Sequence, residues 1–159
     1  VSAPASRIDT AEDALLALLQ AAAADNTSGL YGVPVTMGDP GPQVRDEHVW
    51  TGPNWTSEQD WDTTGLGAQA RNERITGYVG IRVQREGADF RALRDRATAL
   101  MAAAALLVRS NPDLGAGVDE IFDAEVSAVE RWYVVIGDSA IAMEFGLTVI
   151  VTAYLADAP

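Results

Sequence analysis

The sequence predicts an α+β domain: a mostly antiparallel sheet with two helices packed on one face and a long C-terminal β-hairpin. Three observations carry this. Two segments repeat apolar residues at three- and four-residue steps, the period of an amphipathic helix. Others alternate apolar and polar residues, as half-buried strands do. The last two alternating segments flank Gly137-Asp138-Ser139, and each is far longer than the usual strand of about 5–6 residues. A length of 159 residues suits one domain, 1–159, with its own hydrophobic core.

Residues 1–9 read as a flexible polar arm. Thr10 is the expected N-cap of the first helix, with Glu12 and Asp13 in its first turn suiting the positive helix end. Ala14, Leu15, Leu18, Leu19 and Ala22 form its apolar stripe, and Asp25 and Asn26 end it before Gly29. Residues 31–37 read as a strand, with Pro34 indicating an edge or a strand start. The glycine–proline run 38–42 is a turn, and residues 48–51 form a second short strand. Residues 52–72 have few aliphatic side chains and read as one long loop, mobile in the free subunit.

Residues 75–85 alternate cleanly and form a strand. Asp89 caps a second helix running to about Arg109, with Phe90, Leu93, Ala97, Leu100, Ala104 and Leu107 on its buried face; Asn111 and Pro112 stop it. Residues 118–155 make the long hairpin, with Gly146 marking a bulge or bend. Arms of this length are expected to project beyond their own domain or to pair with a neighbour.

Composition narrows function sharply. Hydrophobic residues are 48% and charged residues 21%, as in ordinary globular domains. There is no Cys and one His, His48, so thiolate metal sites and cysteine nucleophiles are excluded and histidine chemistry nearly so. All 11 basic residues are Arg, against 23 acids, for a net charge of −12. That charge repels nucleic acid phosphates and anionic membrane surfaces. The longest apolar runs fall short of a membrane span, and residues 1–9 show no signal-peptide core. The sequons at Asn26 and Asn54 read as chance.

No catalytic, cofactor-binding or metal-binding residues are expected. Residues 65–70, Gly-Leu-Gly-Ala-Gln-Ala, match a dinucleotide fingerprint, but no strand precedes them. Ser139 lacks the second glycine of a nucleophile elbow. Acidic residues cluster without the spacing of a calcium loop, and Glu58, Asp60 and Asp62 read as an acidic lumen or loop surface. Trp50, Trp55 and Trp61 lie in one polar segment, and tryptophan is enriched at interface hot spots. They either dock a partner or anchor the loop to the core. Trp132 with Tyr133 reads as core or sheet-face packing. Arg91, Arg94 and Arg96 open the second helix at its unfavourable end, so partners are expected for them, either intramolecular salt bridges or contacts to another subunit. Trp50, Trp55, Trp61, Arg91 and Arg94 are thus the candidate partner or subunit interface.

The order of elements resembles the tail terminator family of long-tailed bacteriophages, in the form found in phages of actinobacterial hosts. The likeness rests on the helix over residues 11–24, on the strand 75–85 leading into the helix 89–109 with its Arg-Ala-Leu-Arg-Asp-Arg, and on the ending Asp-Ala-Glu-Val (123–126), Gly-Asp-Ser-Ala (137–140) and Phe-Gly-Leu-Thr-Val-Ile-Val-Thr-Ala (145–153). It implies a structural virion protein, not an enzyme, that needs no cofactor. In the family, subunits form a ring, a hexamer, that caps the tail tube, ends its polymerisation and offers the head-joining surface. The implied partners are the chain itself, the major tail tube protein and a head-completion or neck protein. DNA passes through without specific binding, and no membrane is involved. The implied location is the head-proximal end of the virion tail, and the host cytoplasm during assembly. A neck or head–tail connector protein and an acidic non-viral binding module are the alternatives.

Overall fold

One long ribbon organises the molecule. In the computed structural model, β4 (Arg71–Glu86) and β6 (Ala140–Leu155) pair antiparallel over all 16 residues, from Arg71 opposite Leu155 to Glu86 opposite Ala140. β5 (Ile121–Ile136) covers the other side of β6, also antiparallel. The structure describes residues 6–41, 46–61, 71–86, 89–115, 121–136 and 140–155. The remaining elements are α1 (Ile8–Ala24), β1 (Val35–Met37), β2 (Glu47–Thr51), β3 (Thr56–Trp61) and α2 (Phe90–Ser110). The six-stranded sheet runs β1-β2-β4-β6-β5, with β3 also on β4. This is the α+β fold expected, with one parallel pair, β1 with β2, in an otherwise antiparallel sheet.

Alternation along the ribbon sends one set of side chains to the helices. Ile75, Val79, Ile81 and Val83 of β4 join Met143, Phe145, Leu147, Val149, Val151 and Ala153 of β6 in a single core. Ala11, Leu15, Leu19 and Ala22 of α1 and Leu93, Ala97, Leu100, Ala104 and Val108 of α2 close it. Both helices therefore lie on the same face. Burying each large aliphatic side chain contributes about 1.5–3 kcal/mol, so this face dominates stability.

Local expectations hold where the signal is local. Asp89 caps α2 by accepting the Arg91 N–H at 3.0 Å. α1 departs from expectation: it begins at Ile8, with Arg7 rather than Thr10 at the N-cap. The cap comes from the sheet. Glu73 of β4 is fully buried and accepts the Arg7 N–H at 2.8 Å, together with the hydroxyls of Ser6 and Ser57. A carboxylate at the positive helix end replaces the sequence-local capping box. Residues 6–9 are thus tied down rather than part of a loose arm; residues 1–5 lie outside the described residues.

Two further expectations are corrected. Residues 52–72 are not one loop: Thr56–Trp61 forms β3 and pairs with residues 71–76 of β4, while β2 pairs with residues 79–83 of the same edge. Two short strands thus share one long one, joined where the Gly52 N–H donates to the Tyr78 carbonyl at 2.6 Å. Polar side chains suit β3 because its Thr56 and Glu58 stand on the face without helices, in register with Thr76 and Arg74. Residues 62–70 lie outside the described residues. Nor does the hairpin project beyond its domain, because β4 accompanies β6 along its full length. The strand expected at residues 31–37 shrinks to Val35–Met37, as residues 28–33 form successive turns.

Candidate functional site

The face without helices carries the chemically interesting side chains. His48 and Trp50 of β2 stand opposite Arg82 and Gly80 of β4, and Arg82 and Gly80 stand opposite Glu144 and Gly146 of β6. Glu144 stands opposite Trp132 of β5. One row across four strands therefore collects His48, Arg82, Glu144 and Trp132.

Pairing within the row is dense. Arg82 Nε donates to Glu144 Oε1 at 2.6 Å, and Trp132 Nε1 donates to Glu144 Oε2 at 2.7 Å. Arg82 Nη1 donates to the Gly41 carbonyl at 2.9 Å, and Nη2 reaches Asp39 Oδ2 at 3.4 Å. The guanidinium also lies over the Trp50 ring, 5.2 Å from its centroid. Residues 39–41 thereby fold onto the face, and Arg82 and Glu144 are 8% and 5% exposed on a side no helix covers. An ion pair this deep holds only because the carboxylate and guanidinium also bond Trp132, Gly41 and Asp39.

Aromatic rings lie flat where glycines give room. Trp50 covers Gly80, and a Cβ there would collide with the indole. Tyr78 covers Gly146, where an added Cβ would sit 2.6 Å from the phenol oxygen. Gly146 thus clears space for a ring, rather than marking the expected bulge; the register shifts lie on β5, between Ile121 and Asp123 and between Val126 and Ala128.

Burial pushes the Tyr78 hydroxyl up to about 12, helped by the negative charges of Glu144, Glu130 and Asp39. Burial also lowers His48, reinforced by the Arg82 charge and opposed by Asp39. His48 Nε2 shares a hydrogen bond with Thr36 Oγ1 at 2.8 Å, while His48 Nδ1 and Trp55 Nε1 have no hydrogen-bond partner among the described residues.

These shifts predict a pH profile. The unfolded chain protonates its histidine below about 6.5, where folded His48 still resists. Stability should therefore fall as pH drops from 6.5. Unfolded tyrosine ionises from pH 10 upward, whereas Tyr78 holds its proton to about 12, so stability should also fall as pH rises from 10 to 12. Denaturation midpoints of wild type, His48→Phe and Tyr78→Phe across pH 5–11 check this. Each variant should flatten its own limb, and an unchanged limb contradicts the assignment.

The expected interface residues separate. Trp50 is 4% exposed and serves the sheet, not the surface. Trp55 packs against the core and covers Gly77, so it anchors the segment after β2. Trp61 stands in β3 opposite Arg71, and its side chain lies outside the described residues. Glu58 is exposed opposite Arg74; the Asp60 side chain and all of Asp62 lie outside the described residues. Arg94 bonds its neighbour Asp95 at 2.9 Å, and Arg91 is exposed. Arg96 instead makes a bidentate pair with Glu47, at 2.6 and 2.8 Å, which lowers Glu47 and links α2 to β2.

Sequence reasoning missed one group. Phe90, assigned to the buried stripe of α2, is 43% exposed and stacks on Tyr133 of β5, with ring centroids 4.7 Å apart. Val129 and Ile141 are also exposed. Periodicity places Phe90 correctly in angle but does not show that the sheet ends beside it. β5 itself pairs only with β6, so among the described residues its outer edge is unpaired.

A hollow of about 260 Å³ lies beside Tyr78, lined by Pro53, Asn54, Thr76, Gly77 and Thr148. It is smaller than typical ligand pockets. Among the described residues no group of acids and His is placed to hold a metal ion, and no helix is long and apolar enough to cross a membrane. The chain matches no protein-family model and has no significant match to a curated protein.

Proposed function

We propose that this chain is a structural virion protein that assembles into a ring on the end of a phage tail tube, ends tube growth and presents the surface to which the head joins. The observation that carries this reading is the 16-residue edge of β5, unpaired among the described residues and flanked by exposed Phe90, Val129 and Tyr133. A long open edge with apolar neighbours is an assembly surface, and it invites aggregation unless something covers it. The polar groups of the open face support the same reading. Arg82 and Trp132 both donate to Glu144, which stiffens the sheet. The net charge of −12 suits a ring that DNA traverses without adhering.

The reading is tested in a host producing tails with and without the chain. With it, tails should be uniform in length and joined to heads. Without it, tails should overgrow or remain headless. Normal, head-joined tails in its absence reject the proposal.

A further inference from the structure

The two sides of β5 carry opposite charge. Val129, Arg131 and Tyr133 stand opposite Leu147, Phe145 and Met143, which places them on the helix-covered side. Asp123, Glu125 and Glu130 stand opposite Thr152, Ile150 and Gly146, on the other side. All six are exposed.

The first turn of α2 extends the basic side. Phe90 rests on Tyr133, and Arg94 follows it one turn later on the same helix face. At about 100° per residue, Arg91 and Arg94 fall on the flank away from Arg96, which Glu47 ties to β2. That flank faces β5. Three of the 11 basic residues thus surround the exposed Phe90, Val129 and Tyr133. Among the described residues, none of these three arginines pairs with an acid of another element; Arg94 holds only adjacent Asp95, an exposed pair of little energetic weight.

We propose that this basic aromatic patch seats the acidic side of β5 from a second copy of the chain. Charge complementarity selects that occupant. The apolar centre supplies affinity, while arginines against Asp123, Glu125 and Glu130 set the register. Duplex DNA would also meet the three arginines, but must approach a protein of charge −12. The two complementary surfaces lie on opposite faces of the sheet. Each copy therefore passes the contact on head to tail, as ring closure requires. This rests on the ring reading and names its subunit contact.

Two triple variants test it by sedimentation at physiological ionic strength. One reverses the basic patch (Arg91→Glu, Arg94→Glu, Arg131→Glu). The other reverses the acidic side (Asp123→Arg, Glu125→Arg, Glu130→Arg). Five of the positions are exposed and Arg94 is half-buried, and circular dichroism melts verify folding. Wild type should assemble; each variant alone should lose at least tenfold in association. Their equimolar mixture should assemble again, because every contact then pairs opposite charges. Unchanged assembly of either variant alone, or failure of the mixture, overturns the proposal. So does salt-sensitive retardation of random duplex DNA by wild type that the first variant loses. Variants that still form tube-capping rings reject this surface and leave the ring reading standing. A wild type that stays monomeric in solution and on tube ends rejects both.

Discussion

Glu144→Ala is expected to lower unfolding stability by about 3–5 kcal/mol, the cost of leaving a buried charge without its partner. The carboxylate accepts from Arg82 Nε and Trp132 Nε1; Trp132 is only half-buried, but Arg82 is buried and would be left without its carboxylate. Asp39 is half-exposed and 3.4 Å from Arg82, so it recovers little of the loss. For a chain of this size the melting temperature should drop by about 6–20 °C. The double replacement Arg82→Met with Glu144→Leu should recover most of it, since apolar residues of similar volume often substitute for a buried ion pair. Urea denaturation of wild type and the two variants measures this. A loss below about 1 kcal/mol for Glu144→Ala contradicts the network described.

Trp50→Ala is expected to be nearly as damaging, at about 3–5 kcal/mol for removal of a buried large aromatic. The indole fills the space above Gly80 and supports the Arg82 guanidinium, so its loss opens a cavity and exposes the ion pair together. Trp50→Phe should cost less, because a ring still covers Gly80. Thermal melts distinguish this from a surface role: were Trp50 a docking residue, truncation would leave the melting temperature unchanged. Trp55→Ala should fall lower on the same scale, since Trp55 is only partly buried against the core over Gly77.

Features written in short-range pattern were legible in the sequence. The apolar stripes of both helices, the Asp89 cap and the alternation of β4 and β6 needed no tertiary information. What escaped depended on partners distant in the chain. The start of α1 is set by Glu73, more than sixty residues away, so the Thr10 signal lost to a sheet carboxylate. β3 lacks the aliphatic alternation of a core strand because its helix-side positions are polar too, Ser57 bonding Glu73 and Gln59 being exposed, and it read as loop. The pairing of Arg82 with Glu144 follows from the register of β4 on β6, which composition cannot supply. Phe90 and Tyr133 carry ordinary core signatures; only the end of the sheet beside them leaves both exposed.

Electron microscopy of the purified chain mixed with polymerised tail tube protein tests the central claim most directly. The account predicts closed rings of this chain at one end of each tube, with tube growth stopped there. Tubes with bare ends that continue to lengthen in its presence would contradict it.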